Sequence, residues 1–213
     1  MLGHLLLEIS GYSSIIPFLF GAVFFRDFNK DLKLYFILFV IAVIFDLIIN
    51  YLTSQGINSW LLINFWILIE YVATIYVFSY WQKNSQLQNI LRWTIPVYIV
   101  FWIIAKVFEI EGLHWFPQYT RSVSSIILTV LALYTLIKLG ETGSFIYKHY
   151  QFWISVGVLL YFSGNIVLFS LSDLKLVSNL FFIHNILDIS ANFLYAGGFW
   201  CHHYQVKHGI SFY

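Results

Sequence analysis

Seven times along this chain a run of mostly apolar residues recurs, each separated from the next by a short polar break. Each run is close to the about 20 residues that a helix needs to cross the roughly 30 Å hydrocarbon layer of a bilayer. The runs extend from Leu2 to Phe25, Leu34 to Thr53, Ser59 to Tyr80, Ile90 to Glu109, Arg121 to Leu139, Tyr150 to Leu171 and Val177 to Trp200. A soluble fold of 213 residues needs a polar exterior, and 11 Lys and Arg with 10 Asp and Glu cannot supply one when 60% of the residues are hydrophobic. Lipid is the expected surroundings, and only helices or closed barrels satisfy their backbone there. The expectation is an all-α membrane protein, a single seven-helix bundle over residues 1–213, multi-pass in the cell membrane.

The breaks carry ordinary loop signals, RDFNKDLK, SQGIN, QKNSQLQN, EIEGLHWFPQY, GETGSFIYKH and SDLK, and none is long enough for a linker or a second domain. The first 25 residues lack a basic leader and carry Glu8 inside the apolar run, so they read as a first span and not as a removed signal peptide. One cysteine, Cys201, excludes an intrachain disulfide framework. A net charge of +1 gives no reason to invoke nucleic acid.

Basic residues orient the bundle. With the N-terminus outside, the cytoplasmic side holds Arg26, Lys30, Lys33, Lys83, Arg92, Lys138, Lys148 and Lys207, and the outer side only Lys106, Arg121 and Lys175. The excess favours an outside N-terminus and a cytoplasmic C-terminus. Trp and Tyr gather at both expected interfaces, Trp60, Trp115 and Tyr119 on one side and Tyr80, Trp81, Trp93, Tyr147, Trp153 and Trp200 on the other, as an aromatic belt does. An offset of 119 residues superposes Asp46 on Asn165, Ser59 on Ser178, Tyr76 on Tyr195 and Trp81 on Trp200. That offset would give a 3+1+3 repeat, although so biased a composition also yields matches by chance.

The chemistry lies in residues that a bilayer should exclude. A charged side chain at its centre costs at least about 2.5 kcal/mol, so such groups turn inward and mark sites. Glu8, Asp46, Glu70 and Asp188 fall within the runs, together with His184 and with Asn50, Asn64, Asn165, Asn185 and Asn192. At a rise of about 1.5 Å per residue, Glu8, Asp46, Asn64, Asn165 and His184 lie roughly 8 to 10 Å below the outer surface, and Glu70 and Asp188 near 17 Å. Asp46 and Asn50, His184 and Asp188, Asp188 and Asn192, and His4 and Glu8 are each four apart and so share a helix face. No lysine or arginine is expected deep enough to balance the acids, because Lys106 and Arg121 sit at outer helix ends.

Each polar residue taken singly is ordinary interhelical glue. As a set at two depths in one half of the bilayer, they point to an outward-facing polar pocket. Asp46, Asn50, Asn64, Glu70, Asn165, His184 and Asp188 are expected to bind a cation or small polar solute, and Glu70 and Asp188 to couple protons, as in a small transporter or exchanger. Pro17, Pro96, Gly157, Gly164, Gly197 and Gly198 are breakers that could serve its motion, or simple packing residues.

A seven-helix sensor binding a ligand from outside is the second reading, although the final run has no lysine for a retinal Schiff base. A metal-dependent intramembrane hydrolase is the third, with His184, Asp188, Asp46, Glu70, His4 and Glu8 as weak ligand candidates; no H-x-x-x-H or H-E-x-x-H pair occurs in the runs. No catalytic residue stands out, and Ser124, Ser125 and Ser163 read as packing or backbone-bonded serines. The tail CHHYQVKH reads as interfacial side chains ahead of a metal site. The expected partners are therefore the lipid bilayer and a small molecule or cation, and the sequence names no cofactor and no oligomeric state.

Overall fold

A computed structural model describes residues 2–115, 117–141, 145–170 and 177–209, with the side chains at 2–5, 7–8, 169–170 and 177–181 not described. Within them the chain is helical, in the order α1 (Leu2–Ser13), α2 (Ile15–Phe24), α3 (Lys30–Ser54), α4 (Trp60–Trp81), α5 (Ser85–Val107), α6 (Gln118–Gly140), α7 (Tyr150–Ser170) and α8 (Val177–Lys207). Six stretches among the described residues are long and apolar enough to cross a membrane: Ile9–Asp27, Lys30–Ser54, Trp60–Trp81, Ser85–Val107, Gln118–Gly140 and Tyr150–Leu168. At 31 residues α8 is also long enough. His184, Asn185, Asp188 and Asn192 dilute its apolar character, and it is not one of the six.

Local chemistry sets the helix ends. The side chain of Asn29 caps α3 by accepting from Leu32 N, and that of Asn84 caps α5 by accepting from Gln86 N. The first run, expected as one helix, is two. Pro17 has no N–H to offer the carbonyl of Ser13 four residues earlier, and the helix breaks at Ser14. Pro96, by contrast, stays inside α5.

The helices form a closed ring. In turn, α1 and α2 pack on α8, α8 on α7, α7 on α6, α6 on α4, α4 on α3, and α3 back on α2. Helix α5 stands outside this ring, against α4 and α6. Its outward side chains Trp93, Val97 and Val107 are each about two thirds exposed or more (70%, 66% and 68%). A water-facing surface would not leave such side chains bare in a row.

The two ends of the ring differ. Near the start of α3 and the end of α8 it is filled: Leu32, Tyr35 and Phe39 meet Tyr71, Ile75 and Phe78, Ile154 and Val158, and Tyr195 and Phe199 in one buried cluster. Rings stack edge-on there, as with Tyr35 on Tyr195 and Phe39 on Phe199. The residues farther along α3, and earlier along α4 and α8, enclose a cavity.

Three glycines let α7 and α8 approach this closely. A Cβ on Gly157 would stand 2.6 Å from the Tyr195 ring, one on Gly164 2.1 Å from Leu187, and one on Gly198 2.8 Å from Ile154 and 3.3 Å from the Tyr150 carbonyl oxygen. At Gly198 the clash with Ile154 is joined by a tight approach to backbone, which turning a side chain does not ease. Gly198→Val is expected to destabilise the protein by about 1–3 kcal/mol, read as a lower Tm of the purified protein in detergent; an unchanged Tm would mean that α7 and α8 are not packed this tightly.

Candidate functional site

A cavity of about 860 Å³ occupies the hollow end of the ring. Its floor and walls come from the α1–α2 break, α3, α4, α7 and α8, and Thr53 with Gly56 to Trp60 of the α3–α4 connection reaches its rim. Of the expected site residues, Asp46, Asn50, Glu70, His184 and Asp188 line it. Asn64 and Asn165 do not; both are fully buried behind the wall.

Three serines at the break hold two of the acids. Ser10 Oγ donates to Asp188 Oδ2 at 2.8 Å, and Ser14 Oγ donates to Asp46 Oδ2 at 2.6 Å. Ser13 Oγ lies 3.1 Å from the same Asp188 oxygen and 2.8 Å from the Ser10 carbonyl, with one proton to share between them. It accepts in turn from Asn192 Nδ2 at 2.8 Å. Asn50 Nδ2 donates to the Gly11 carbonyl at 3.4 Å, which ties α3 to α1. The three acids Asp46, Glu70 and Asp188 all line the cavity.

Glu70 is held differently, and here the structure corrects the sequence reading. A basic residue does reach the buried acids: Arg121 NH1 is ion-paired with Glu70 Oε2, with the two side chains only 6% and 12% exposed. Arg121 lies in the first turn of α6, but its long side chain runs inward and not out to the interface. Its NH2 donates to Tyr161 Oη at 2.8 Å, and the guanidinium sits over the Tyr161 and Phe162 rings. Tyr161 and Glu70 face the cavity, whereas Arg121 stands behind them.

The remaining polar residues brace this wall. Asn165 Oδ1 is 2.9 Å from His184 Nδ1 and so fixes that ring against α7. Asn64 Nδ2 donates to the carbonyls of Leu113 and Trp115 (3.1 and 3.3 Å), anchoring the α5–α6 connection. In that connection Glu111, itself buried, accepts from Lys106 Nζ at 2.9 Å and from the backbone N–H groups of Tyr119 and Thr120. A carboxylate there satisfies the free N–H groups that begin α6 and sits at the favourable end of its dipole. Trp60, expected only in an interfacial belt, lines the cavity rim.

Among the described residues, no three His, Cys, Asp or Glu side chains converge as a metal set; the side chains of His4 and Glu8, and all of Lys175, lie outside the described residues. Ser124 and Ser163 bond the carbonyls of Arg121 and Leu160, the backbone role expected of them. The histidines of the tail bind chain, not each other: His202 Nε2 is 3.1 Å from the Asp27 carbonyl and His203 Nδ1 2.5 Å from the Asp27 carboxylate. Sequence reasoning missed Ser10, Ser13, Ser14, Arg121 and Tyr161. The usable signal was the S-x-x-S-S cluster just ahead of Pro17.

No protein-family model, curated protein or solved structure matches the chain. Arg121→Met would strand the buried Glu70 carboxylate and is expected to cost about 3–5 kcal/mol, while the double variant Arg121→Met/Glu70→Leu recovers most of that loss. Thermal unfolding of the three proteins in detergent measures both. A double variant no more stable than Arg121→Met would refute the pairing.

Proposed function

We propose that the chain is a seven-helix membrane transporter or exchanger that takes a cation or small polar solute into this cavity from outside the cell. The observation that carries the reading is a hollow open at one end of the ring, with packed aromatics at the other, and bordered by a broken helix whose serines bond two of its acids. Transporter sites are built near mid-membrane beside such discontinuous helices, where a break can absorb the rocking of one helix group against another.

Helix α8 is the seventh span in this reading. Phe182, Ile186, Phe193 and Trp200 are exposed along one stripe of it, while Asn185, Ala191, Asn192 and Ala196 are buried on the other. A lipid-facing stripe over a polar inner face is how such a helix crosses. Orientation rests on the basic residues, and the burial of Lys106 and Arg121 in internal ion pairs removes both from the outer surface. The remaining asymmetry favours an outside N-terminus more strongly. The position of α5 outside the ring fits a 3+1+3 layout, with α5 as the unpaired span between two triplets.

Within this reading the acids divide the work. Asp188, held only by hydroxyl and amide groups, takes the proton-coupling role, with Asp46, Asn50 and His184 contacting solute. Glu70 is committed to Arg121 and serves as a fixed wall charge, while Asn64 and Asn165 position the wall from behind. A second reading, a sensor, has one observation in its favour. The same unbroken α8 that carries Asp188 continues to His202 and His203, which grip the α2–α3 turn at the opposite pole, so ligand at Asp188 has a rigid route to that end.

Charge displacement and internal pH recorded together on proteoliposomes, against a panel of inorganic cations, amines and amino acids, decide between the two. Transport predicts a signal for at least one solute that Asp188→Asn abolishes while the variant keeps its Tm and monodisperse elution. Ligand binding with no flux of any solute would replace transport by sensing.

A further inference from the structure

Taking the cavity to be a binding site, as proposed above, we infer that its ligand is an organic ammonium ion, an amine carrying its proton, and not a bare metal ion or a neutral solute. Charge is the first reason. No lysine or arginine is among the residues lining the cavity. Glu70 is balanced by Arg121 from behind, whereas Asp46 and Asp188 have no described cationic side chain bonded to them. Two carboxylates with no counter-charge beside them give the cavity they line a field that favours a cation over an anion or a neutral solute.

Their placement suits one small cationic head. Ser13 contacts Asp188 and Ser14 contacts Asp46, and adjacent residues are about 3.8 Å apart at Cα. The two carboxylates therefore converge on the same short piece of backbone. Each serine bond falls on an Oδ2 atom, and no hydrogen bond from a described residue reaches Asp46 Oδ1. An ammonium group carries three donors for the carboxylate oxygens that these bonds leave over.

Size and wall chemistry separate an organic cation from a metal ion. About 860 Å³ is within the range of pockets that enclose small organic molecules, and far more than one ion occupies. The described residues present no three-ligand metal set. Trp60, Trp66, Tyr161 and Tyr195 supply aromatic surface to the same cavity. Ring faces attract cations and at the same time cover apolar carbon, the combination that an alkyl or aryl amine offers and a hydrated metal ion does not.

The test is binding to the purified full chain in lipid nanodiscs at neutral pH, by calorimetry, of three probes: benzylamine, its neutral isostere benzyl alcohol, and the chloride salts of sodium, potassium and calcium. Benzylamine is expected to bind at least about tenfold more tightly than benzyl alcohol, with none of the metal ions competing at comparable concentration. Asp46→Asn and Asp188→Asn should each weaken the amine by about tenfold and leave the alcohol unchanged. The amine-to-alcohol ratio of the unmodified protein stands by itself if either variant misfolds. Equal binding of amine and alcohol, binding of a metal ion in place of the amine, or binding of neither would each overturn the inference. Currents driven by a metal ion without amine binding would leave transport standing and remove only the ammonium class. Amine binding without flux would do the reverse.

Discussion

A carboxylate in a medium without water must find its hydration elsewhere, and this chain meets that demand in two unlike ways. Glu70 takes a guanidinium from α6, which also stacks on the rings of α7, so charge, donors and packing come from one side chain. Asp46 and Asp188 take hydroxyl donors from a place where the first span is interrupted, and Asp188 an amide donor from Asn192 one turn along its own helix. A continuous helix bonds its own backbone and projects side chains evenly around its axis. The interruption at Ser14 lets two neighbouring serines address acids on two different helices. The hollow lies where these polar groups stand in place of the aromatic and aliphatic side chains that fill the other pole.

That other pole is built to stay shut. Asp31, a buried acid near the start of α3, accepts from Trp81 Nε1 at 2.6 Å and from Tyr150 Oη at 2.8 Å, and so joins α3, α4 and α7 through one carboxylate. His202 lies edge-on to Tyr150, and Cys201 reaches the Lys148 carbonyl, which adds the end of α8 to the same junction. These bonds sit directly beneath the aromatic cluster. Two buried polar networks are thus separated by an apolar layer, one beside the cavity and the other beside packed rings.

For six of the seven runs hydropathy located a helix long and apolar enough to cross a membrane, because segment length and apolar content are sums that need no knowledge of neighbours. Asp46, Glu70, His184 and Asp188 line one hollow, as their shared polarity suggested. Rotation was not readable. Asn64 and Asn165 are buried behind the wall, and which face of a helix is inner depends on the ring order, which the loops do not encode. Helix α5 shows this most clearly, since it is as apolar as its neighbours and stands outside the ring. Arg121 was misplaced because a helix-end position says where a Cα is, whereas an arginine side chain reaches several ångströms in either direction. The serines were passed over because hydroxyls barely register on a hydropathy scale, and their importance comes from a proline three residues farther on.

The contrast between the two kinds of acid bears on which of them can take part in function. Releasing Glu70 from Arg121 would leave two buried charges uncompensated, a cost of several kcal/mol that few ligands could meet. Freeing Asp46 or Asp188 from a serine exchanges a bond from a neutral hydroxyl to a carboxylate, worth about 1.5–3 kcal/mol, for a bond to an incoming cation in which both partners are charged. The serines can then turn to nearby carbonyls, as Ser13 already does with that of Ser10. If the proposed cation binds there, it would displace resting partners weaker than itself at a break where backbone can move. A fixed ion pair one wall away keeps the ring from collapsing while it does so.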